Sequence, residues 1–453
     1  MPQGRLYTFA LVLLDTLAVV LTFNVVAYAY GLGLMFPMVS SLALPVAIHI
    51  LGVYLIDGYN PRTDMASVTF TAQHFIAVLG ILLFTLLLTY VFIPAGFTLQ
   101  SSRAVTLISY AVLAPLTLLY RRRLYFQALR HRQQRYFLFL GNPESCLTFK
   151  EECRKNGMKQ SVLFATHDTF THAGASGVSA PPFGDPVHYL EEYAGHIDAI
   201  ILRESSSELP PPVAERLVNL HFGGVPTYTL ELFHEVYWRK IPLYRINQTW
   251  LFQQGFQIAR DPVFERLKRV SDILFASLGL LLALPFFPLV ALAIWLEDRG
   301  PVFFRQPRVG RNRVIFDALK LRTMRVHQDG EAYTREGDRR ITRVGRLLRA
   351  TRLDEVPQLW NVLHGEMSLI GPRAEWVKLV QQYEQQIPCY HFRHLVKPGI
   401  TGWAQVNYPY GANLDDTMRK LEYDLYYIRY FSFVLDGSIV LKTIQVMLFG
   451  QGR

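Results

Sequence analysis

The fold of this chain is decided by the stretch Ser271-Asp-Ile-Leu-Phe-Ala-Ser-Leu-Gly-Leu-Leu-Leu-Ala-Leu-Pro285-Phe-Phe-Pro288-Leu-Val-Ala-Leu-Ala-Ile-Trp295. It is long enough to cross a bilayer, because about 20 apolar residues span the hydrocarbon core. Basic residues flank both of its ends, so a spanning helix would place one basic flank outside, against the positive-inside rule. Pro285 and Pro288 lie in its middle, where proline kinks a helix. The stretch therefore predicts a re-entrant membrane helix hairpin over residues 266–299.

Four more apolar stretches fill the first quarter of the chain, at residues 7–30, 34–56, 72–93 and 104–120. Each approaches the length of a membrane span. The second is the weakest candidate for a span, because it contains Pro45 and His49. Arg5, Arg62 and the basic residues from Arg121 onward predict that both ends of the group are cytoplasmic. We expect a four-helix transmembrane bundle over 1–125; the alternative is a set of buried helices in a soluble domain.

A soluble region follows over residues 136–245. Apolar runs at 136–140, 161–165 and 197–202 predict buried strands, and helical patterns between them favour a small doubly wound, Rossmann-like α/β domain. The turn after the first strand, Gly141-Asn-Pro-Glu-Ser145, has one glycine, so dinucleotide binding is not expected. A structural or regulatory domain fits better. Residues 171–182 predict a loop, and residues 246–265 a linker.

The hydrophobic content and the net charge of the chain indicate which classes of partner it binds. Hydrophobic residues make up 51% of the 453 residues and charged residues 18%, and the formal net charge is +10. This balance indicates a membrane protein with anionic partners, such as phosphates, lipid headgroups or nucleic acid. Cys146, Cys153 and Cys389 lack metal-like spacing, which favours reduced thiols over a disulfide or a zinc site.

The region over 300–453 is predicted to be mainly helical. Its last segments, 421–430 and 431–449, are rich in Tyr, Phe and Leu interrupted by charges. Such segments fit helices that lie in the headgroup layer or, equally, an ordinary pair of core helices.

The densest candidate for chemistry is Arg349-Ala-Thr-Arg-Leu-Asp-Glu-Val-Pro-Gln-Leu-Trp360. Pro357 predicts that a helix starts at or near Asp354. A carboxylate there meets the positive end of the helix dipole, which also favours a bound phosphate. Asp354 is thus a candidate nucleophile for phosphoryl transfer, and the alternative is that it only caps the helix.

Nine basic residues accompany this pair in about thirty positions, namely Lys320, Arg322, Arg325, Arg339, Arg340, Arg343, Arg346, Arg349 and Arg352. Such a cluster suits a phosphate-rich substrate, whose charge must be neutralised during transfer. Nucleic acid is the competing partner, but it fits poorly with five membrane segments. Gly371-Pro-Arg373 and the segment from Lys397 to Asn407 add tight turns that suit a nucleotide pocket.

Seven motifs occur in one order over residues 268–407: Lys268-Arg269 with Asp272, Gly300-Pro-Val-Phe-Phe-Arg-Gln306, Lys320-Leu-Arg-Thr-Met324, Leu353-Asp-Glu-Val-Pro-Gln-Leu359, Asn361-Val-Leu with Gly365-Glu-Met-Ser368, Gly371-Pro-Arg373 and Pro398-Gly-Ile-Thr-Gly-Trp-Ala-Gln-Val-Asn407. Together they resemble the bacterial sugar transferases, the monotopic phosphoglycosyl transferases. The helical start and α/β region look like the long, polyprenyl-phosphate hexose-1-phosphate members. Tyr408-Pro-Tyr-Gly-Ala412 is similar to an exopolysaccharide-associated branch.

The resemblance implies a role for each candidate residue. Asp354 would be the nucleophile that forms a phospho-sugar intermediate, and Glu355 would hold Mg²⁺ or handle a proton. Substrate-binding roles would fall to Lys320, Arg322, Arg349, Arg373, Gln405 and Asn407, with Arg373 at the nucleotide. Pro285 matches the kinking proline of the re-entrant helix. The chain departs from the family pattern at Leu284, where Ser is frequent, and at Ala374, where a second Pro is frequent.

The resemblance also implies the reaction. A UDP-sugar would give its sugar-1-phosphate to polyprenyl (undecaprenyl) phosphate, releasing UMP, at the cytoplasmic face of the bacterial inner membrane. The enzyme domain would occupy residues 300–453. A homodimer is expected, because the α/β region lacks cofactor glycines and packing is its more plausible task. Two alternatives stay open: a non-catalytic membrane scaffold or sensor of polysaccharide assembly, and a transferase that works through one ternary complex.

Overall fold

The computed structural model describes residues 2–32, 39–61, 63–92, 103–132, 135–158, 160–166, 185–203, 209–243, 262–325, 338, 340–408, 411 and 413–449. The chain divides into two compact units, Met1–Arg239 and Lys240–Arg453. Most described residues are helical, and the sheets are small. The predicted loop at 171–182 lies outside the described residues, as does the predicted linker up to residue 261.

The first unit begins with four helices: α1 (Pro2–Ala29), α2 (Val39–Leu55), α3 (Val68–Leu87) and α4 (Arg103–Arg132). Among the described residues, three segments in α1, α3 and α4 are long and apolar enough to cross a membrane: 6–29, 68–91 and 103–128. Helix α2 has 17 residues, which rise about 26 Å against a hydrocarbon core of about 30 Å. The four predicted apolar segments therefore form three helices of spanning length and a shorter one.

A buried charge pair joins the first and last of these helices. Asp15 of α1 pairs with Arg121 of α4, and both side chains are fully buried. Tyr59 adds a hydrogen bond from its hydroxyl to the same carboxylate at 2.5 Å. Buried charges are tolerated when they are paired and hydrogen-bonded. Arg121, one of the residues used above to predict orientation, is thus an interior residue of the helical group.

The rest of the first unit is a parallel four-stranded sheet with helices. The elements are β1 (Tyr136–Leu140), α5 (Pro143–Lys155), β2 (Ser161–Ala165), α6 (Pro186–Glu192), β3 (Ile197–Leu202), α7 (Pro211–Phe222), β4 (Thr227–Thr229) and α8 (Leu230–Phe233). The strand order is β2-β1-β3-β4. The last four residues of β1 are all buried, as is typical of parallel strands covered on both faces. Asn142 caps α5 by accepting the Ser145 amide.

The second unit is mainly helical, with two small sheets. Its elements are α9 (Pro262–Ala283), α10 (Phe287–Asp298), β5 (Phe303–Val309), β6 (Ile315–Leu321), α11 (Arg343–Thr351), α12 (Gln358–His364), β7 (Ser368–Ile370), α13 (Val377–Gln386), β8 (Gly399–Thr401), α14 (Trp403–Asn407), α15 (Leu414–Arg429) and α16 (Phe433–Phe449). Helices α9 and α10 are together apolar enough to cross a membrane, but they bend by 63° at their break. Pro285 lies in this break, as expected for a residue that removes a backbone hydrogen bond from a helix. Its side chain is exposed.

The last two helices contribute to the core of this unit. Leu421, Leu425 and Ile428 of α15 and Ile439 of α16 are buried in one cluster with Trp403. Helix α16 also exposes apolar side chains, ending with Leu448 and Phe449. Helix α15 is therefore a core helix, as one of the two predicted environments requires, and α16 has one buried and one exposed apolar face. That these helices lie in the headgroup layer stays a prediction.

Three glycines allow strands β7 and β8 to approach each other closely. A Cβ on Gly399 would lie 2.1 Å from the Gly371 nitrogen, and one on Gly402 would lie 2.1 Å from the Gly371 oxygen. No larger residue fits at such distances, because glycine alone lacks the Cβ. The close approach lets the Gly399 amide donate to the Pro372 carbonyl at 2.9 Å. It thereby fixes the backbone just before Arg373.

Candidate active site

The two adjacent carboxylates lie in a tight turn between α11 and α12. Arg352 ends α11 in the left-handed conformation, with φ of 56°. Leu353–Glu355 then forms one 3₁₀ turn, and the regular helix begins at Gln358. The helix start predicted near Asp354 is therefore a 3₁₀ turn that leads into α12, a common arrangement at helix ends. Asp354 and Glu355 are both half-buried.

Glu355 is held by two cations from other elements. The Lys320 ammonium, at the end of β6, donates to Glu355 Oε1 at 2.6 Å, and the Arg373 guanidinium lies 3.6 Å from the same oxygen. The exposed fraction is 12% for the Glu355 side chain and 18% for Lys320. Burial alone would raise the pKa of Glu355, but Lys320 and Arg373 lower it to about 2. Glu355 is therefore ionised over the physiological range.

The pKa of Asp354 is shifted in the opposite direction, upward. Burial raises the pKa of this carboxyl, and the negative charge of Glu355 raises it further, whereas Lys320 and Arg349 oppose the rise. Arg349 is oriented by Thr323, whose hydroxyl accepts from its Nε at 2.8 Å. Neighbouring carboxyls whose pKa values are pushed apart can take different chemical roles. Here Asp354 is the more basic of the two, and Glu355 is a permanent anion.

Lys320 and Arg373 also line a small pocket next to this turn, with Arg308, Gln358 and Gly399. Burial lowers the pKa of Lys320, Glu355 opposes this, and Arg373 lowers it again. Three cationic side chains thus face one space beside the carboxylates. Such clustered cations suit an anionic substrate such as a phosphate.

Arg322, which the sequence predicts to bind substrate, lies against the end of α10 in the structure. Its guanidinium forms a two-pronged pair with Asp298 at the end of α10 and donates to the Pro301 carbonyl. The side chain is 8% exposed. Arg322 therefore joins the end of β6 to the end of α10 through contacts with Asp298 and the Pro301 carbonyl.

Gln405 and Asn407 lie on α14, and no described contact joins them to the carboxylates. Asn407 donates to the Trp403 carbonyl at 2.8 Å and accepts from Lys442 at 2.8 Å. Gln405 donates to the Ile400 carbonyl at 3.2 Å. The structure thus brings together Asp354, Glu355, Lys320, Arg349 and Arg373, while the other predicted substrate-binding residues lie elsewhere.

Two positioning groups were not assigned a role from the sequence. Asn361 of α12 donates to the Asp317 carbonyl at 2.8 Å and accepts the Leu319 amide at 3.0 Å. These bonds fix α12 against β6 one residue before Lys320. Asn361 lies in the motif that begins Asn361-Val-Leu, but that motif does not indicate which backbone groups its amide contacts.

The second positioning group is the buried pair Arg393 and Asp424, joined at 2.8 Å. Arg393 also donates to the Arg373 carbonyl at 3.0 Å. It therefore supports the backbone of the arginine that faces Glu355. No local pattern in the sequence links residues 373, 393 and 424, so this contact could not be predicted.

The two carboxylates could supply only part of the oxygen ligands that a Mg²⁺ ion needs. Among the described residues, no group of three or more His, Cys, Asp or Glu side chains could hold a metal ion. Mg²⁺ is nevertheless commonly bound by one or two carboxylates together with substrate phosphates and water. Asp354 and Glu355 supply such oxygens, although Lys320 and Arg373 already neutralise Glu355. A metal here would therefore depend on ligands from the substrate.

Comparison with known proteins identifies the second unit. The family described as "Bacterial sugar transferase" matches residues 263–450. The chain is 38% identical over 257 residues to UDP-N-acetylgalactosamine-undecaprenyl-phosphate N-acetylgalactosaminephosphotransferase of Aeromonas hydrophila, covering 56% of this chain and 60% of that protein. It is 45% identical over 182 residues to UDP-glucose:undecaprenyl-phosphate glucose-1-phosphate transferase of Escherichia coli (strain K12), covering 39% of each.

A third relative is covered almost completely. The chain is 43% identical over 187 residues to "Exopolysaccharide production protein PSS" of Rhizobium leguminosarum bv. phaseoli, covering 39% of this chain and 93% of that protein. The chain spans less than two thirds of the first two relatives. Because the third is matched over nearly its whole length, and because the family match at residues 263–450 includes the carboxylate turn and its cations, the chain belongs to the bacterial sugar transferase family.

Proposed function

We propose that this protein transfers a sugar-1-phosphate from a UDP-sugar to polyprenyl phosphate. The observation that carries the proposal is the pair of adjacent carboxyls with opposite pKa shifts, set among Lys320, Arg349 and Arg373. The names of two relatives, which specify UDP-sugars and undecaprenyl phosphate, support the substrate classes. A scaffold would have no need for such a pair.

In the first step, an Asp354 carboxylate oxygen attacks the phosphorus that bears the sugar. A new oxygen–phosphorus bond forms, the bond to the bridging oxygen of the diphosphate breaks, and UMP leaves with that electron pair. The raised pKa of Asp354 makes its anion more basic than an ordinary aspartate and so a better nucleophile. Lys320 and Arg373 offset the charge on the phosphate oxygens.

In the second step, a phosphate oxygen of the polyprenyl phosphate attacks the same phosphorus. The aspartyl oxygen–phosphorus bond breaks, which regenerates Asp354 and gives a polyprenyl-diphosphate-sugar. Glu355 stays ionised throughout because Lys320 and Arg373 hold its pKa at about 2. Its constant charge keeps Lys320 oriented toward the turn. Mg²⁺, when bound with the substrate, would shield the diphosphate charge.

The proposal includes an arrangement in the membrane. The 63° bend between α9 and α10 and the basic residues at both flanks support a re-entrant hairpin, with both flanks and the enzyme domain at the cytoplasmic face of the inner membrane. The four-stranded parallel sheet is proposed to be a Rossmann-like domain that contributes to a homodimer. The mass of the protein in nanodiscs tests the dimer, and a monomer would exclude it.

Product analysis tests the reaction itself. Purified protein would be mixed with a panel of UDP-sugars and undecaprenyl phosphate, and the lipid fraction would be analysed by mass spectrometry. We expect one lipid-diphosphate-sugar, with an equal amount of UMP. If no UDP-sugar gives a lipid product while the protein stays folded, the proposed activity is wrong.

A further inference from the structure

The last turn of α10 carries two adjacent carboxylates, Glu297 and Asp298, which contact different elements of the second unit. Asp298 pairs with Arg322 at the end of β6, as described above. The Glu297 carboxylate instead accepts two backbone amides at the start of α11, from Arg343 at 2.6 Å and from Val344 at 3.0 Å. Glu297 lies in none of the seven motifs, and the proposed reaction assigns it no role.

Glu297 completes the set of hydrogen-bond partners at the start of α11. The first amides of a helix have no acceptor within the helix itself. The Thr342 amide donates to the Thr323 carbonyl at 3.1 Å, and the Gly345 amide donates to the Thr342 hydroxyl at 2.9 Å. The two amides between them are the pair that Glu297 accepts. Both of these bonds are charge-assisted, and the carboxylate meets the positive end of the helix dipole.

The start of α11 lies directly against the segment that follows β6. A Cβ on Gly345 would lie 2.2 Å from the Thr323 oxygen, so no larger residue fits there. Leu348, three residues later, is buried against apolar residues of α10 and β6. Apolar contacts are not directional, whereas hydrogen bonds are. The bonds to Thr323 and to Glu297 therefore set the direction of this short helix.

The direction of α11 determines where Arg349 lies. Arg349 is one of the cations that oppose the rise in the pKa of Asp354 described above. It lies about 9 Å along the axis from the start of the helix, so a tilt of about 10° there would move it by roughly 1.6 Å. A misplacement of about 1 Å can lower a reaction rate by up to about a hundredfold. The bonds at the start of α11 can therefore influence the active site.

From these contacts we propose that Glu297 is a positioning residue, which keeps Arg349 beside Asp354 by holding the first turn of α11. Glu297 itself acts on the backbone of α11 and not on the substrate. The inference rests on the proposed function in one respect, because a displaced Arg349 slows transfer only if Asp354 is the nucleophile. The same contact joins the active-site turn to α10, the second helix of the bent pair.

Amide hydrogen exchange of the full-length protein in nanodiscs tests the structural part without any turnover. Glu297→Ala removes both acceptors, and Glu297→Gln, which keeps one acceptor oxygen, takes its place if the alanine variant does not fold. We expect exchange over residues 343–355 to become faster on the order of tenfold, because the first turn of α11 opens more readily. Exchange over residues 377–386 should not change. Wild-type exchange over 343–355 would overturn the inference.

Single-turnover UMP release tests the link to Arg349 through a double-mutant cycle. Glu297→Ala should slow release on the order of tenfold. If Glu297 acts through Arg349, adding Glu297→Ala to Arg349→Gln should cause little further loss. The matched control is Glu384→Ala, which breaks an ion pair with Arg313 on another helix and should release UMP at the wild-type rate. A full further tenfold loss in the double variant would overturn the positioning role.

The two measurements separate this inference from the proposed function. Faster exchange with wild-type UMP release in Glu297→Ala would mean that Glu297 only stabilises α11, and the positioning role would be wrong. If the wild type releases no UMP with any UDP-sugar, the proposed function fails and the role in the reaction fails with it. Hydrogen exchange would still show in that case whether Glu297 holds α11.

Discussion

The Lys320 ammonium lies 2.6 Å from Glu355 Oε1, and this contact joins the end of strand β6 to the turn that carries Asp354. Residues 35 positions apart are thereby brought into one charged cluster. Because Glu355 is kept ionised, it raises the pKa of the neighbouring Asp354 and orients Lys320 at the same time. One ion pair therefore influences both the nucleophile and the charge that faces the substrate.

Replacing Lys320 by Met should lower the rate of sugar-phosphate transfer at least about a hundredfold, because a preorganised cation beside a transferring phosphate contributes that much or more. Single-turnover UMP release measures this rate. Lys378→Met, which removes a charge outside the cluster, should be close to the wild type. Wild-type turnover by Lys320→Met would show that the ion pair is only structural.

The rate of loading should depend on pH through Asp354, which must be ionised to attack. Since the pKa of Asp354 is raised, first by burial and then by Glu355, activity should decline on acidification at a pH above the usual aspartate range. Glu355→Gln removes the like charge, so the acidic limb should move to lower pH while the maximal rate falls. The measurement is the single-turnover rate between about pH 4 and 8.

The matched control for this pH profile is Glu384→Gln, which breaks an ion pair with Arg313 outside the cluster. Its acidic limb should coincide with that of the wild type. An acidic limb that stays in place in Glu355→Gln, or moves to higher pH, would contradict the electrostatic coupling between the two carboxyls.

Motif residues and local charge density singled out the carboxylate pair and its cations, and the structure brings these side chains together. Arg322 shows where prediction from the sequence stops. Alternation along a strand would place residues 320 and 322 on one face, but β6 ends at Leu321, so Arg322 turns toward Asp298. The Arg393 contact with the Arg373 carbonyl was also beyond prediction, because it depends on how α15 packs against the segment before β8.

Arg322 should therefore behave as a structural residue. Arg322→Gln is expected to lower the free energy of unfolding by about 3 kcal/mol, because it leaves Asp298 largely buried without its partner. The protein that remains folded should keep its KM for the UDP-sugar, whereas Arg373→Gln should raise KM. Thermal melting and steady-state kinetics separate these effects. The control is Arg325→Gln at an exposed position, and an Arg322→Gln enzyme with normal stability and raised KM would refute this assignment.

Pro285 should determine whether α9 and α10 form a hairpin or a span. We expect Pro285→Leu to restore the missing backbone bond, straighten the helix and bias it toward crossing the membrane. Single cysteines near Arg266 and near Arg313 would be labelled in intact cells with an impermeant thiol reagent, after replacement of Cys146, Cys153 and Cys389.

In the wild-type background neither introduced cysteine should react, and in Pro285→Leu one of them should. Leu284→Ala, a change beside the proline that leaves the kink in place, serves as the control. Ready labelling of either site in the Pro285 protein would mean that the segment spans the membrane and that the hairpin is wrong.

The central claim is that Asp354 becomes covalently bonded to the sugar-phosphate, and mass spectrometry of the intact protein tests it most directly. Protein mixed with the UDP-sugar that supports transfer, without lipid acceptor, should gain the mass of one sugar-phosphate and release up to one UMP per site. Asp354→Asn should form no adduct and lose at least about a thousandfold in rate, while Asp415→Asn, an exposed control, should load normally. An active protein that gains no mass and releases no UMP until polyprenyl phosphate is added would contradict the covalent mechanism.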